Sequence, residues 1–362
     1  MSLENVQEEQ TAEGSSLVLH GGVQQSGQVN KQGRNVVAFK FGGSSLLGAE
    51  RILHAAGLVR TAAQTSNVTV IVSAMKGITD QLLSVAQSLA AGKLAHARRE
   101  AELVLDVHLD VIHNLRLDQD DDLRVCRELQ FLGRDLLHEI PDHGQVAAGG
   151  ELFDRLASFG ERFSARLFAA ALEKLGVAAV PVAASDFVLT CNTFRDARPH
   201  LEPTKARGQA ILLPLLEEGI VPVVTGFIGA TPDGRITTLG RNSSDYSGAI
   251  IAHAVDAAEL VIWTDVDGIY TANPHESAEA RLLHELSYDE AHALAASGAK
   301  VLHERVLPLA AEFKMVIWVR NTFNPQAQGT RIGLSRPLNE NAPDTSGPVL
   351  GSSGVSVPGG AA

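Results

Sequence analysis

Cysteine is nearly absent from this 362-residue chain: Cys126 and Cys191 are the only two. Two thiols supply no disulfide framework and no cysteine metal cluster, so a reducing cytoplasm is the simplest setting. Excess positive charge is also lacking. The formal net charge of -12 argues against a nucleic-acid surface, which needs clustered Lys and Arg. No apolar run approaches the ~18 residues of a membrane-spanning helix, so no membrane partner is expected. The opening MSLENVQEEQTAEGSS is acidic and polar, unlike a secretory signal. No internal repeat is present, and the thirteen histidines show no metal-ligand spacing. HEIPDH at 138–143 is interrupted by Pro141 and does not make a zinc helix. No metal-binding set is read from the sequence.

What is present is ordinary for a globular protein: 45% hydrophobic and 20% charged residues, in a chain long enough for a large core. Residues 1–35 and 334–362 are rich in Gly, Ser and other polar residues, and read as disordered tails around a body at 36–333. Within the body, short apolar runs predict buried strands at Val36–Phe39, Val68–Val72, Ala178–Val182, Ile220–Thr225, Leu260–Trp263 and Met315–Val319. Helical spacing marks 46–64, 80–92, 122–138, 155–175, 204–217, 244–257 and 288–297. Continuous apolar strands separated by helices imply an α/β fold, with a mainly parallel central sheet covered on both faces. Ligands then belong at the carboxyl ends of the strands. The stretch from 80 to 140 carries no strand signal and reads as a lid or flank.

Four stretches carry chemistry. KFGGSS (40–45) follows the first strand, where glycines let amides approach a ligand and a helix start favours anions. Lys40 adds a positive charge, and together these features ask for phosphate. The lysine precedes the glycines, so this is not a Walker A loop, and no G-x-G-x-x-G fingerprint follows a strand. A plain structural Gly-Gly turn stays open. In LGRNSSDYSGA (239–249), Ser243 or Ser244 can cap a helix and Asp245 falls in its first turn, where it could merely answer the dipole. Arg241 beside it offers a fork for a carboxylate. WTDVDGIYTANPH (263–275) follows a strand. An EF-hand reading fails because Gly268 stands at position 4 from Asp265, not 6. SFGERFSA (158–165) places Glu161 and Arg162 in a helix, where a charge pair is usually a solvated face. Lys300, in SGAKVLHE, could equally be a solvated lysine.

Taken together these stretches resemble the aspartokinases of the amino-acid kinase family, over about 36–333. KFGGSS is similar to the family's opening signature. SAMKGITDQL (73–82), SFGERFSA, VTGFIG (224–229), LGRNSSDYS, WTDVDGIYT and GAKVLH (298–303) follow in the family's order. LGRNSSDYS looks most like the aspartokinases at the head of aspartokinase–homoserine dehydrogenase fusions. The resemblance implies a three-layer α/β/α sandwich of the carbamate-kinase-like type, with an N-terminal lobe for aspartate and a C-terminal lobe for ATP. It implies transfer of the γ-phosphate of ATP to the side-chain carboxylate of L-aspartate, with Mg²⁺ carried by the nucleotide. It also implies a homo-oligomer, in the cytoplasmic setting read from the two cysteines.

The same resemblance implies roles for single residues. Lys40 and Asp245 match the catalytic pair. Gly42, Gly43 and Ser44 match phosphate contacts, and Thr264, Asp265, Tyr270 and Lys300 match nucleotide contacts. Thr79, Glu161, Arg241 and Ser244 match the substrate side, where Glu161 suits an α-ammonium and Arg241 a carboxylate. Three positions depart from the family pattern. Asn273-Pro274-His275 replaces D-P-R, Glu304 stands where a proline is usual, and Ala38 replaces a larger aliphatic residue. The tandem ACT modules common in aspartokinases have no counterpart after residue 333. The expectation is therefore an enzyme without feedback control, or a chain cut from a longer or fused protein. Two other readings stay open: a relative acting on acetylglutamate, glutamate or a nucleotide, and a non-catalytic sensor of ATP or an amino acid.

Overall fold

The computed structural model describes residues 34–143, 149–272, 276–277, 279–296 and 302–334. In chain order its first half comprises β1 (Val36–Phe41), α1 (Ala49–Ala62), β2 (Asn67–Val72), α2 (Ile78–Ala90), α3 (Leu94–Leu115), α4 (Gln119–His138), α5 (Gly150–Ala157), α6 (Phe159–Lys174) and β3 (Ala179–Val182). Then follow α7 (Leu201–Glu217), β4 (Val221–Thr225), β5 (Ile228–Ala230), β6 (Ile236–Thr238), α8 (Ser244–Ala254), β7 (Glu259–Thr264), β8 (Ile269–Tyr270) and β9 (Leu282–Leu283). The last elements are β10 (Glu285–Ser287), α9 (Tyr288–Ala296), α10 (Val306–Glu312), β11 (Val316–Asn321) and β12 (Thr330–Gly333).

The central sheet has eight strands in the order β10-β12-β11-β7-β1-β2-β4-β3. Every neighbouring pair is parallel except β11 and β12. β1 is the switch point, because β2 pairs with it on one side and β7 on the other. Doubly wound sheets bind ligands outside the strand ends at such a point.

Strand pleating sorts β1 between two cores. Val37, Phe39 and Phe41 join Val70, Val72 and Trp263 against Ile52, Leu82, Phe163 and Phe168 of the first helical layer. Val36 and Ala38 join Ile71, Leu260 and Ile262 against Leu212, Ile250 and Leu307 of the second. Three layers result, a helical layer on each face of a mainly parallel sheet. The stretch between 80 and 140 forms α2, α3 and α4, whose Leu82, Val104 and Leu129 enter the first core, so it is a packed flank of that layer.

Several boundaries differ from those predicted, each for a local reason. β1 runs on to Phe41, so Lys40 lies inside the strand and not in the turn after it; the register pairs it with Ile71 and Ile262. After β1 a single 3-10 turn (Gly43–Leu46) and Gly48, at φ 86°, delay α1 to Ala49. The helix expected over 155–175 is two helices, α5 and α6, meeting at Ser158. The hairpin of β5 and β6, the short β8 to β10, β12, α3 and α10 had no separate signal. Of the expected tails, Arg34 and Asn35 belong to the ordered body, where the Asn35 carbonyl accepts from the Asn67 amide at 2.9 Å. Residues 1–33 and 335–362, and with them nearly all of both predicted tails, lie outside the described residues.

Candidate active site

Pleat parity decides where Lys40 points. Val36 and Ala38 face α8, and Lys40 continues that set. Gly248 of α8 lets the helix lie close over the lysine stem: a Cβ there would stand 3.4 Å from Lys40 Cβ. The α8 N-terminus thereby brings Asp245 to the carboxyl end of β1, and Lys40 Nζ lies 2.6 Å from Asp245 Oδ1. Both side chains are mostly buried, so the pair is poorly screened by solvent. Ser243 sits at the N-cap position, but its hydroxyl does not cap the helix. Its carbonyl accepts from the Ser247 amide instead, and the Ser247 hydroxyl receives the Phe227 amide at 2.6 Å, tying the 226–229 turn to α8.

The glycine turn is set by contact with the segment after β2. A Cβ on Gly43 would stand 2.6 Å from the Ala74 carbonyl, and Lys76 N–H donates to the Gly43 carbonyl at 3.2 Å. Gly42 N–H donates to the Trp263 carbonyl at 3.2 Å, joining the turn to the end of β7. The close approach expected for these glycines is therefore first of all an approach to backbone.

Glu161 is the largest departure from its bland reading. It is 2% exposed, not part of a solvated face. Gly160 explains how it gets there: a Cβ at 160 would fall 2.6 Å from Ala74 Cβ, so only glycine lets α6 pack this closely. Ala74 N–H donates to Glu161 Oε1 at 3.0 Å, while Oε2 has no partner. Burial pushes the carboxyl up to about 8, against the opposing pull of the Ala74 amide and the Lys40 charge.

These groups share one cavity of about 620 Å³. Lys40, Gly42, Gly43, Thr79, Glu161, Arg241, Ser244 and Asp245 all line it. Arg241 donates to Asp80 at 2.8 Å, both side chains being largely exposed, so the pair is weakly held and free to exchange partners. Ser44, Thr264, Asp265 and Tyr270 do not line this cavity. Ser44 is in the 3-10 turn with its carbonyl accepting from Arg51, while Thr264 and Asp265 end the neighbouring strand β7 and Tyr270 lies in β8. Lys300, and the Asn273-Pro274-His275 departure, lie outside the described residues.

Several lining residues had no sequence signal. Asp154 is 1% exposed and accepts the Arg195 amide, the Thr238 amide and the Thr238 hydroxyl. Burial raises its pKa, and those three bonds oppose the rise. Its partners lie 41 and 84 residues away, beyond any local pattern. Outside the cavity, His113 of α3 and Asp122 and Cys126 of α4 bring potential ligand atoms within 4.8 Å of one another. Spacing within one segment could not reveal a set drawn from two helices.

The arrangement has a cation and a carboxylate at a strand–helix junction, a glycine turn beside them, and a buried acid facing the same space. The sequence profile of the amino acid kinase family matches residues 35–321. The chain belongs to the amino acid kinase family. Among its relatives, lysine-sensitive aspartokinase 3 of Escherichia coli (strain K12) is 34% identical, with 82% of this chain and 64% of that protein aligned. Aspartokinase 1, chloroplastic, of Arabidopsis thaliana is 32% identical, with 86% and 54% aligned. The chain thus spans little more than half to under two thirds of the length of these two relatives. The crystal structure of E. coli aspartokinase III in complex with aspartate and ADP superposes with a TM-score of 0.72 at 30% identity, covering 84% of this chain and 65% of that one. The complex of the same enzyme with lysine and aspartate gives 0.74 at 30% identity, covering 84% and 66%. The family assignment thus agrees with the fold reached from strand order alone.

Proposed function

We propose that this family member is an aspartate kinase, transferring the γ-phosphate of ATP to the side-chain carboxylate of L-aspartate to give 4-phospho-L-aspartate and ADP. The observation that carries the reading is the Lys40–Asp245 pair opening into the same cavity as the buried, half-satisfied Glu161. A phosphate donor suits the cationic end, and an ammonium suits the free Glu161 oxygen. The solved relative that binds aspartate and ADP supports both halves.

A side-chain carboxylate is ionised at neutral pH and needs no general base. One of its oxygens attacks the γ-phosphorus, the new O–P bond forms, and the bond to the β-phosphate oxygen breaks as ADP leaves. Catalysis then rests on alignment and on charge stabilisation. Lys40 offsets charge on the moving phosphoryl group, and Asp245 holds the ammonium in place. Gly43 and Ser44 offer donors to phosphate oxygens, while Gly42, whose amide is bonded to the Trp263 carbonyl, leaves room for the phosphate to approach the turn. Thr264, Asp265 and Tyr270, at the end of β7 and in β8, belong to the nucleotide side, and Lys300 is assigned to it by the family resemblance alone. Glu161 takes the α-ammonium, and Arg241 leaves Asp80 for the α-carboxylate, with Thr79 and Ser244 beside them. Mg²⁺ would be carried by the nucleotide: Asp245 and Asp154 of the cavity are already bonded to protein donors, while Lys40 is placed for phosphate oxygens.

The reading extends to a cytoplasmic homo-oligomer, with an N-terminal aspartate lobe and a C-terminal ATP lobe. Both cysteines are free thiols, which suits a reducing compartment. Its product would enter the biosynthesis of lysine, threonine and methionine. The test is hydroxylamine trapping in the presence of MgATP. L-Aspartate should yield the 4-hydroxamate, while L-glutamate and N-acetyl-L-glutamate yield none. Hydroxamate from either of the latter alone would move the protein to another branch of the family, and nucleotide binding without ADP formation would make it a sensor.

A further inference from the structure

Arg195 stands in a left-handed backbone conformation, at φ 69°, where residues other than glycine seldom occur. Such a residue needs a supporting frame, and α5 provides one. Gly150, Phe153 and Asp154 fall at i, i+3 and i+4, on one face of that helix. A Cβ at Gly150 would fall 2.8 Å from Phe194 Cβ, so glycine there lets α5 lie close against the residue before Arg195, whose stem packs alongside in ordinary contact. The guanidinium carbon sits 4.9 Å from the centre of the Phe153 ring. The Arg195 amide donates to Asp154 Oδ2 at 2.8 Å.

Asp154 also holds the second arginine-bearing loop. It accepts the amide and the hydroxyl of Thr238, at 2.9 and 2.7 Å, three residues before Arg241. The two loops meet again at Gly240, at φ 101°, where a Cβ would lie 3.0 Å from Asp196 Oδ1 and 3.8 Å from the Arg195 carbonyl. Both Arg195 and Arg241 line the cavity. Lys40 is paired with Asp245 and Arg241 with Asp80, whereas among the described residues no close ion pair holds the Arg195 guanidinium, on which the Asp154 charge acts from a distance.

We infer that Arg195 is a second substrate-binding guanidinium, which joins Arg241 on the α-carboxylate of the bound amino acid. Phe153 and Asp154 of α5 are the positioning residues that aim it. The inference rests on the aspartate kinase reading. A substrate with two carboxylates needs one held away from the phosphoryl donor, and a guanidinium resting on a ring face is fixed in direction before the substrate arrives.

The test compares Arg195→Gly and Arg195→Lys with wild type on two substrates. Glycine tolerates the backbone angle, so the variant removes the side chain without straining the loop. A melting temperature no more than a few degrees below wild type would document this. For L-aspartate, Arg195→Gly should raise KM about 10- to 100-fold, as for loss of a charged hydrogen bond, with kcat and the ATP KM nearly unchanged. Arg195→Lys should recover part of the loss. The α-carboxamide of aspartate, which lacks the second negative charge, should lose little on going from wild type to Arg195→Gly. An unchanged aspartate KM in an active Arg195→Gly enzyme overturns the assignment, as does an equal loss for the carboxamide or a rise confined to the ATP KM. Wild-type protein that makes no acyl phosphate from aspartate would instead overturn the functional reading, and the role of Arg195 with it.

Discussion

The buried acid of the cavity makes a pH prediction whose sign and slope follow from its position. Glu161 titrates near 8 in the empty site because burial penalises its charged form. At pH 7 it is about 90% protonated, and a protonated carboxyl cannot pair with an ammonium ion. If only the ionised form accepts the substrate's α-ammonium, binding expels a proton. The apparent dissociation constant for aspartate should then fall about tenfold per pH unit between pH 6 and 7.5, and level off above pH 8. The side-chain carboxylate of free aspartate is fully ionised throughout this range, so the slope belongs to the protein. Calorimetry without nucleotide, in buffers of different ionisation enthalpy, measures both the constant and the proton released, which should approach one per site at pH 7. Glu161→Gln imitates the protonated form, so its affinity should be weak and independent of pH. A wild-type constant that changes less than twofold from pH 6 to 8, or a variant that keeps the slope, would refute the reasoning. The same shift acts on stability. The folded state keeps a proton that the unfolded chain releases above about 4.5, so the empty protein should lose stability as pH rises from that value to about 8.

Other predictions concern the remaining parts of the site. A lysine ~4 Å from a phosphate oxygen at an effective dielectric of ~20 interacts by roughly 4 kcal/mol, so Lys40→Ala should lower kcat about 100- to 1000-fold, measured by ADP release. Far-ultraviolet circular dichroism should show the fold retained; near-wild-type turnover would remove Lys40 from the chemistry. Arg241→Ala breaks only an exposed ion pair, so chemical denaturation should report a stability change below about 0.5 kcal/mol, while the aspartate KM rises and the ATP KM stays. Gly160→Ala drives a methyl to 2.6 Å from Ala74 Cβ; it should cost about 1–3 kcal/mol in denaturant titrations and weaken aspartate more than ATP.

Local pattern sufficed wherever one segment carried the whole signal. All six apolar runs became strands of the central sheet, because a strand buried on both faces has to be apolar throughout. The KFGGSS and LGRNSSDYS stretches could be located, but their meeting depends on the parity of β1 and on Gly248. The burial of Glu161 was hidden, since Arg162 beside it looks like a surface partner and the cause, Gly160 against Ala74, joins segments far apart in the chain. Asp154 and Arg195 were hidden for the same reason: a helix, a loop and a hairpin strand become neighbours only in the folded chain. Strands of two or three residues such as β5, β8 and β9 are too short for alternation to register.

The central claim is that an oxygen of the aspartate side chain becomes bonded to the phosphorus of ATP in the Lys40–Asp245 cavity. L-Aspartate carrying ¹⁸O only in its side-chain carboxylate tests it directly, with hydroxylamine added to cleave the acyl phosphate at carbon and mass spectrometry of the phosphate released. The account predicts one ¹⁸O atom in each phosphate formed, and almost no labelled phosphate with Lys40→Ala. Phosphate released at an undiminished rate without label would mean that water, not aspartate, receives the phosphoryl group.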